Sequence, residues 1–215
     1  LGASVDYTLT NVADCGDSWS VGTEAALNDA IACYNGKTAA DTYTLTLTGD
    51  IDLTASTTAI NNATTGVELV IEGDGYTVDG QDTLGVRPFT TAADTTVTMQ
   101  HMTITGGNVN DYGGGISNEG TLTVTNSTVS HNVASNQTDE GLGGGIYNSG
   151  HLTLANTTVN DNEADNGGGI ENDTSGTLII TVSLISSNTS TANLSRGGGI
   201  GNGGTLTIHN STIAG

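Results

Sequence analysis

The chain has 215 residues and sets 23 acidic side chains against 3 Lys and Arg, a formal net charge of -20 at pH 7. Neutralising phosphates takes clustered cations, so a nucleic-acid or anionic-membrane binder is excluded. Pro occurs once, which excludes collagen and Pro-rich linkers, and no apolar run reaches the roughly 18 residues of a membrane helix.

Leu1 opens directly into polar sequence, so the numbering is expected to begin after any processed leader. Cys15 and Cys33 are the only cysteines. Two thiols without a C-x-x-C spacing support neither a zinc site nor a redox motif, and a single local disulfide is expected. Such a bond, beside abundant Thr and Asn and almost no Lys, points to a secreted or cell-surface protein. Thr23 to Asn35 (TEAALNDAIACYN) predicts the one helix, with Leu27, Ala30, Ile31 and Tyr34 on one stripe and Gly36 as its stop. Residues 1–42 therefore read as an N-terminal cap over the first open strands of the remaining chain.

The body, residues 43–215, is repetitive. Gly-Gly-Gly-Ile occurs four times, beginning at Gly113, Gly143, Gly167 and Gly197, at spacings of 30, 24 and 30. Each copy leads into the same pattern, as in GGGISNEGTLTVTNSTVSHN and GGGIYNSGHLTLANTTVNDN. A diverged copy runs from Val97 to Ile104, and strand-like runs lie at Tyr43 to Leu53 and Val67 to Val78. Within a copy the apolar positions fall at Ile116, at Leu122 and Val124, and at Val129. That is three brief strands per repeat, too short and too β-branched for helices. Strands recurring at this period stack coil on coil by parallel pairing at about 4.8 Å, so the expected fold is all-β, a parallel β-helix of about six to seven coils. Columns such as Leu122, Leu152, Leu178 and Leu206 fill its interior. Asn126, Asn156 and Asn210 are expected to form a side-chain ladder at one corner, broken by His101 and Val182. The glycines suit corners of positive φ or close backbone approach.

These residues carry a resemblance. Leu27-Asn28-Asp29-Ala30-Ile31 followed by Tyr34-Asn35 resembles the Leu-Arg-Glu-Ala-Ile…Ala-Asn core of the domain named for its Cys-Ser-Leu-Arg-Glu-Ala motif, although Ala25 and Ala26 stand where the motif has Cys-Ser and Asn28 replaces Arg. The Gly-Gly-Gly-Ile repeats are similar to those of the same surface proteins and of polymorphic outer-membrane autotransporter passengers. The resemblance implies a right-handed helix and a place outside the cell. It says little about activity, because β-helices host many functions.

Pectin-type lyases and hydrolases need converging carboxylates, with Ca²⁺ and a cation for the lyases. No column of the aligned repeats holds two carboxylates, and Lys37, Arg87 and Arg196 lie apart. His131, Asp161 and Ser187 share a column, but a catalytic triad needs the His between acid and nucleophile, so a surface His to Asp hydrogen bond is the expectation. Acidic loops around Asp74, Asp79, Asp82, Asp111, Asp139, Glu140, Asp161, Glu163 and Asp165 could hold Ca²⁺, yet none matches a known calcium loop; a solvated acidic surface is the plainer reading. The Thr columns raise ice binding, but His151 and Ile179 interrupt them. Sequons at Asn62, Asn136, Asn172 and Asn193 fall in expected loops and are open to glycosylation.

The expected function is a non-catalytic extracellular β-helix: a stalk, adhesin module or filament subunit, without cofactor, meeting surface glycans or other copies and not inserting into a membrane. The alternatives are a polysaccharide lyase or hydrolase, and an ice- or calcium-binding surface protein. Asn210 to Gly215 align with Asn126 to His131, where another coil is due, so the solenoid is expected to continue or to stack end to end beyond 215.

Overall fold

A computed structural model describes residues 15–135, 141–191 and 197–214. One coil runs through Ile116–Asn118, Thr121–Thr125, Thr128–Ser130 and Val133–Ala134, and the next repeats it as Ile146–Asn148, His151–Ala155, Thr158–Asn160 and Glu163–Ala164. Equivalent strands pair in parallel and stack into sheets of eight, seven, five and four strands. The result is a parallel β-solenoid of about seven turns with one short helix. The apolar pattern implies three strands per repeat, but there are four. The fourth has two residues and turns a single small side chain inward, so it carries no periodicity to detect. Its inward residues Val109, Ala134 and Ala164 form their own small cluster.

The interior is built from columns. Leu122, Leu152, Leu178 and Leu206 are successive register partners, and so are Phe89, Ile116, Ile146, Ile170 and Ile200. Because strand side chains alternate, each Leu points in while its neighbour, mostly Thr, points out. Burying one such side chain contributes about 1.5–3 kcal/mol.

The N-terminal end departs in one respect from a separate cap. Ser18–Val21 pairs in parallel with Asp41–Leu47 and is the first strand of the eight-stranded sheet, so the solenoid begins before residue 43. The helix spans Glu24–Asn35, with the Thr23 hydroxyl accepting from the Ala26 N–H at 3.2 Å and Gly36 closing its end. Its buried stripe of Leu27, Ala30, Ile31 and Tyr34 joins the same core as Tyr43, Leu45 and Ile51. The flank beside that stripe is tied to a loop: Glu24 accepts from Thr54 and Ala55, Asn28 from the Thr58 N–H at 2.6 Å, and Asn35 from the Asn61 N–H at 2.9 Å. Asn28, one of the departures from the Arg-containing motif, is thus a fixture of the helix-to-coil contact.

Cys15 and Cys33 form the disulfide, across 18 residues of sequence. A loop of that length stabilises by about 3 kcal/mol. Paired Cys15→Ser and Cys33→Ser changes are expected to lower the hydrogen-exchange protection of helix amides while leaving amides of residues 116–190 protected. Equal loss along all coils would show that the bond acts on the whole solenoid instead.

Candidate functional site

The corner between the eight- and seven-stranded sheets has a fixed local chemistry. Its first residue is left-handed in five successive coils: His101, Asn126, Asn156, Val182 and Asn210 have φ between 48° and 53°. Asn takes this conformation at little cost, and a β-branched residue does not. The next residue points inward. Ser127 Oγ donates to the Thr125 carbonyl and accepts from the Met102 N–H, and Ser183 Oγ repeats the arrangement with Thr181 and Thr157.

Along this corner lies an open groove of about 800 Å³, lined by Glu72, Asp74, His101, Asn126, Asn156 and the Thr103, Thr128, Thr158 row among others. A one-way hydrogen-bond relay runs down it. Asn156 Nδ2 donates to Asn126 Oδ1 at 2.7 Å, Asn126 Nδ2 faces His101 Nε2 at 3.3 Å, and His101 Nδ1 meets Glu72 at 3.0 and 3.1 Å. The network assigns the proton to Nδ1, since Nε2 faces a donor and Nδ1 a carboxylate. His101 therefore continues the corner ladder rather than breaking it. The ladder expected through Asn126, Asn156 and Asn210 stops at Val182, so no rung reaches Asn210, and its amides are exposed. Val182→Asn is expected to stabilise the fold by about 1–2 kcal/mol, by removing left-handed strain and completing the ladder. An unchanged or lower denaturation midpoint would contradict that.

Burial tends to raise the Glu72 pKa, but bonds from the Asp74 N–H, His101 and Gln100 Nε2 outweigh it and hold the carboxyl below its ordinary value. A carboxylate held low stabilises above its unfolded pKa and loses that stabilisation as pH falls through its folded pKa. Wild-type stability is thus expected to drop on acidification below about pH 4.5 more steeply than that of Glu72→Gln, measured as the difference between their melting curves.

Two interior ladders are the features that sequence reasoning missed. Thr91 Oγ1, Asn118, Asn148, Asn172 and Asn202 hydrogen-bond in series at 2.6, 2.6, 2.7 and 2.7 Å, and Asn132, Asn162 and Asn188 do so at 3.0 Å each. The signal was present as the Asn two residues after each Gly-Gly-Gly-Ile and in the His-Asn, Asp-Asn and Ser-Asn pairs closing each third strand. Burial corrects two modification sites. Asn172 is a fully buried rung, and buried Asn62 donates to the Tyr34 and Lys37 carbonyls, so neither amide is open to a glycan in the folded chain. Asn136 and Asn193 lie outside the described residues, as do Asp139, Glu140 and Arg196.

The glycine runs serve the stack. Gly113 needs its φ of 68°, and a Cβ on Gly144 would sit 2.3 Å from the Glu163 carbonyl oxygen and 2.4 Å from that of Gly168. His131, Asp161 and Ser187 are left-handed turn residues with φ of 54–55°, and Asp161 accepts from its neighbour Asn160. The expected His131 to Asp161 bond is not formed among the described residues. Outside the aligned repeats, Asp52 and Asp79 are register partners in adjacent coils, a carboxylate column the repeats themselves lack. Gln81 bridges them, its Nε2 donating to Asp52 at 2.8 Å and its N–H to Asp79 at 2.7 Å.

Among the described residues the acidic loops do not converge. Asp165 is buried and accepts from the Gly141 N–H, Asp111 pairs with Arg87 at 3.5 Å, and Asp161 and Glu163 are exposed. Among the described residues no three His, Cys, Asp or Glu side chains gather as a metal site would require. The structure confirms the Thr register and its interruption, with His151 between Thr121 and Thr177 and Ile179 between Thr153 and Thr207. No family profile, curated protein or solved structure matches the chain.

Proposed function

We propose that the chain is an extracellular, non-catalytic β-helix that acts as a rigid structural or adhesive module: a cell-surface stalk, an adhesin segment or a filament subunit. One observation carries this reading. Many of the polar side chains that could do chemistry are engaged in holding the coil: asparagines as ladder rungs, Glu72 with His101, Asp52 with Asp79 through Gln81, and Asp165 on a backbone N–H. Four continuous parallel sheets make a stiff rod, and the disulfide is compatible with an oxidising compartment. Among the described residues no helix is long and apolar enough to cross a membrane.

The Asp52 and Asp79 column supports a second reading, a polysaccharide hydrolase, because register partners on adjacent strands lie about 4.8 Å apart, near the carboxylate spacing of a retaining enzyme. Incubation with neutral and uronate polysaccharides, with and without Ca²⁺, separates the two. No new reducing ends are expected. Chain cleavage that disappears in Asp52→Asn or Asp79→Asn would replace the structural reading with the enzymatic one.

A further inference from the structure

We propose that the corner groove binds a neutral, extended oligosaccharide lying along the solenoid axis; the inference rests on the extracellular reading above and names the partner class that the module would hold. The floor of the groove repeats polar groups at the coil rise of about 4.8 Å, close to the length of one pyranose ring in an extended chain. Thr103, Thr128 and Thr158 are successive register partners facing outward, and their hydroxyls make no hydrogen bond within the described structure. Asn156 Oδ1 is likewise unengaged, because only its Nδ2 enters the relay. At the far end the exposed Asp74 carboxylate accepts no hydrogen bond among the described residues, and a carboxylate can take both hydroxyls of a vicinal diol.

Charge selects the ligand class. No Lys or Arg lines the groove, while Glu72 and Asp74 do, in a chain of net charge -20. A uronate chain would be repelled, whereas a neutral one meets donors and acceptors alone. One coil past Thr158 the column becomes Leu184, and one past Asn156 the corner becomes Val182, 39% and 55% exposed. This apolar step, with Ile179 at 38% exposure in the same coil, gives the C–H face of a sugar ring a place to rest at the end of the polar row. The relay matters to this assignment because it fixes which groups face outward. With Asn126 donating to His101 and accepting from Asn156, both ends of its amide are occupied, and the Thr row and Asp74 are left for the ligand.

The test is titration of the full chain with β-1,4-linked hexaoses of glucose, mannose and galactose, with hexagalacturonate as the anionic arm, followed by saturation-transfer NMR and calorimetry. At least one neutral hexaose is expected to bind with a Kd of about 0.1–1 mM, and hexagalacturonate is expected to bind at least tenfold more weakly. The combined Thr103→Val, Thr128→Val and Thr158→Val variant, which keeps side-chain shape, is expected to weaken binding about tenfold or more with its melting curve retained. Asp74→Asn is expected to weaken it severalfold. Absence of binding by all three neutral hexaoses, tighter binding of hexagalacturonate, or binding indifferent to both variants each overturns the proposal. These outcomes leave the structural reading standing, while cleavage of a bound hexaose overturns that reading and keeps the groove.

Discussion

Asn162→Ala is expected to destabilise the solenoid by about 3–5 kcal/mol, among the largest effects a single substitution can have here. Its side chain makes five contacts of 3.0 Å: it accepts from the N–H and Nδ2 of Asn132 and donates to the Val129 and Asn160 carbonyls and to Asn188 Oδ1. Alanine leaves those buried groups without water to replace the lost partner, and each orphaned group costs about 1–3 kcal/mol. The exposed corner ladder is the control. Asn126→Gly keeps the left-handed backbone and is expected to cost under about 1 kcal/mol. Urea denaturation with unchanged slope measures both, and equal midpoint shifts would remove the interior ladder from its supporting role.

Leu152→Ala is the second large effect. Leu152 is buried between Leu122 and Leu178, and a cavity there is expected to cost about 2–5 kcal/mol because stacked backbones on either side limit relaxation. Asp161→Asn, at an exposed left-handed turn that Asn also tolerates, is expected to stay within about 0.5 kcal/mol. Alanine would be the wrong probe at 161, since it adds backbone strain to the loss of charge. A melting temperature lowered by chelator in the wild type but not in Asp161→Asn would establish a structural calcium site and contradict the reading of this loop as acidic surface.

The solenoid was legible in the sequence because its strongest signals are one-dimensional. Gly-Gly-Gly-Ile marks each coil, and Leu122, Leu152, Leu178 and Leu206 recur at the same offset, so register follows from alignment. The helix was equally plain from the Leu27, Ala30, Ile31 and Tyr34 stripe. The direction in which polar residues point stayed hidden. Asn126 and Asn132 lie six residues apart in the same repeat, yet the first stands outward in a left-handed turn and the second is fully buried one residue after such a turn. Composition cannot separate them; the left-handed backbone at Asn126 itself, and at His131 just before Asn132, does. The groove was invisible for a related reason. Glu72, His101 and Asn126 are 29 and 25 residues apart, and they meet only because successive coils of unequal length place them on one corner.

The central claim, a β-helix that works outside the cell as a rigid module, is tested most directly by immunogold labelling of intact source cells with an antibody against residues 116–190. The account predicts label on the outer surface or on extended material beyond it, without permeabilisation. Label confined to the cytoplasm, appearing only after permeabilisation, would contradict it.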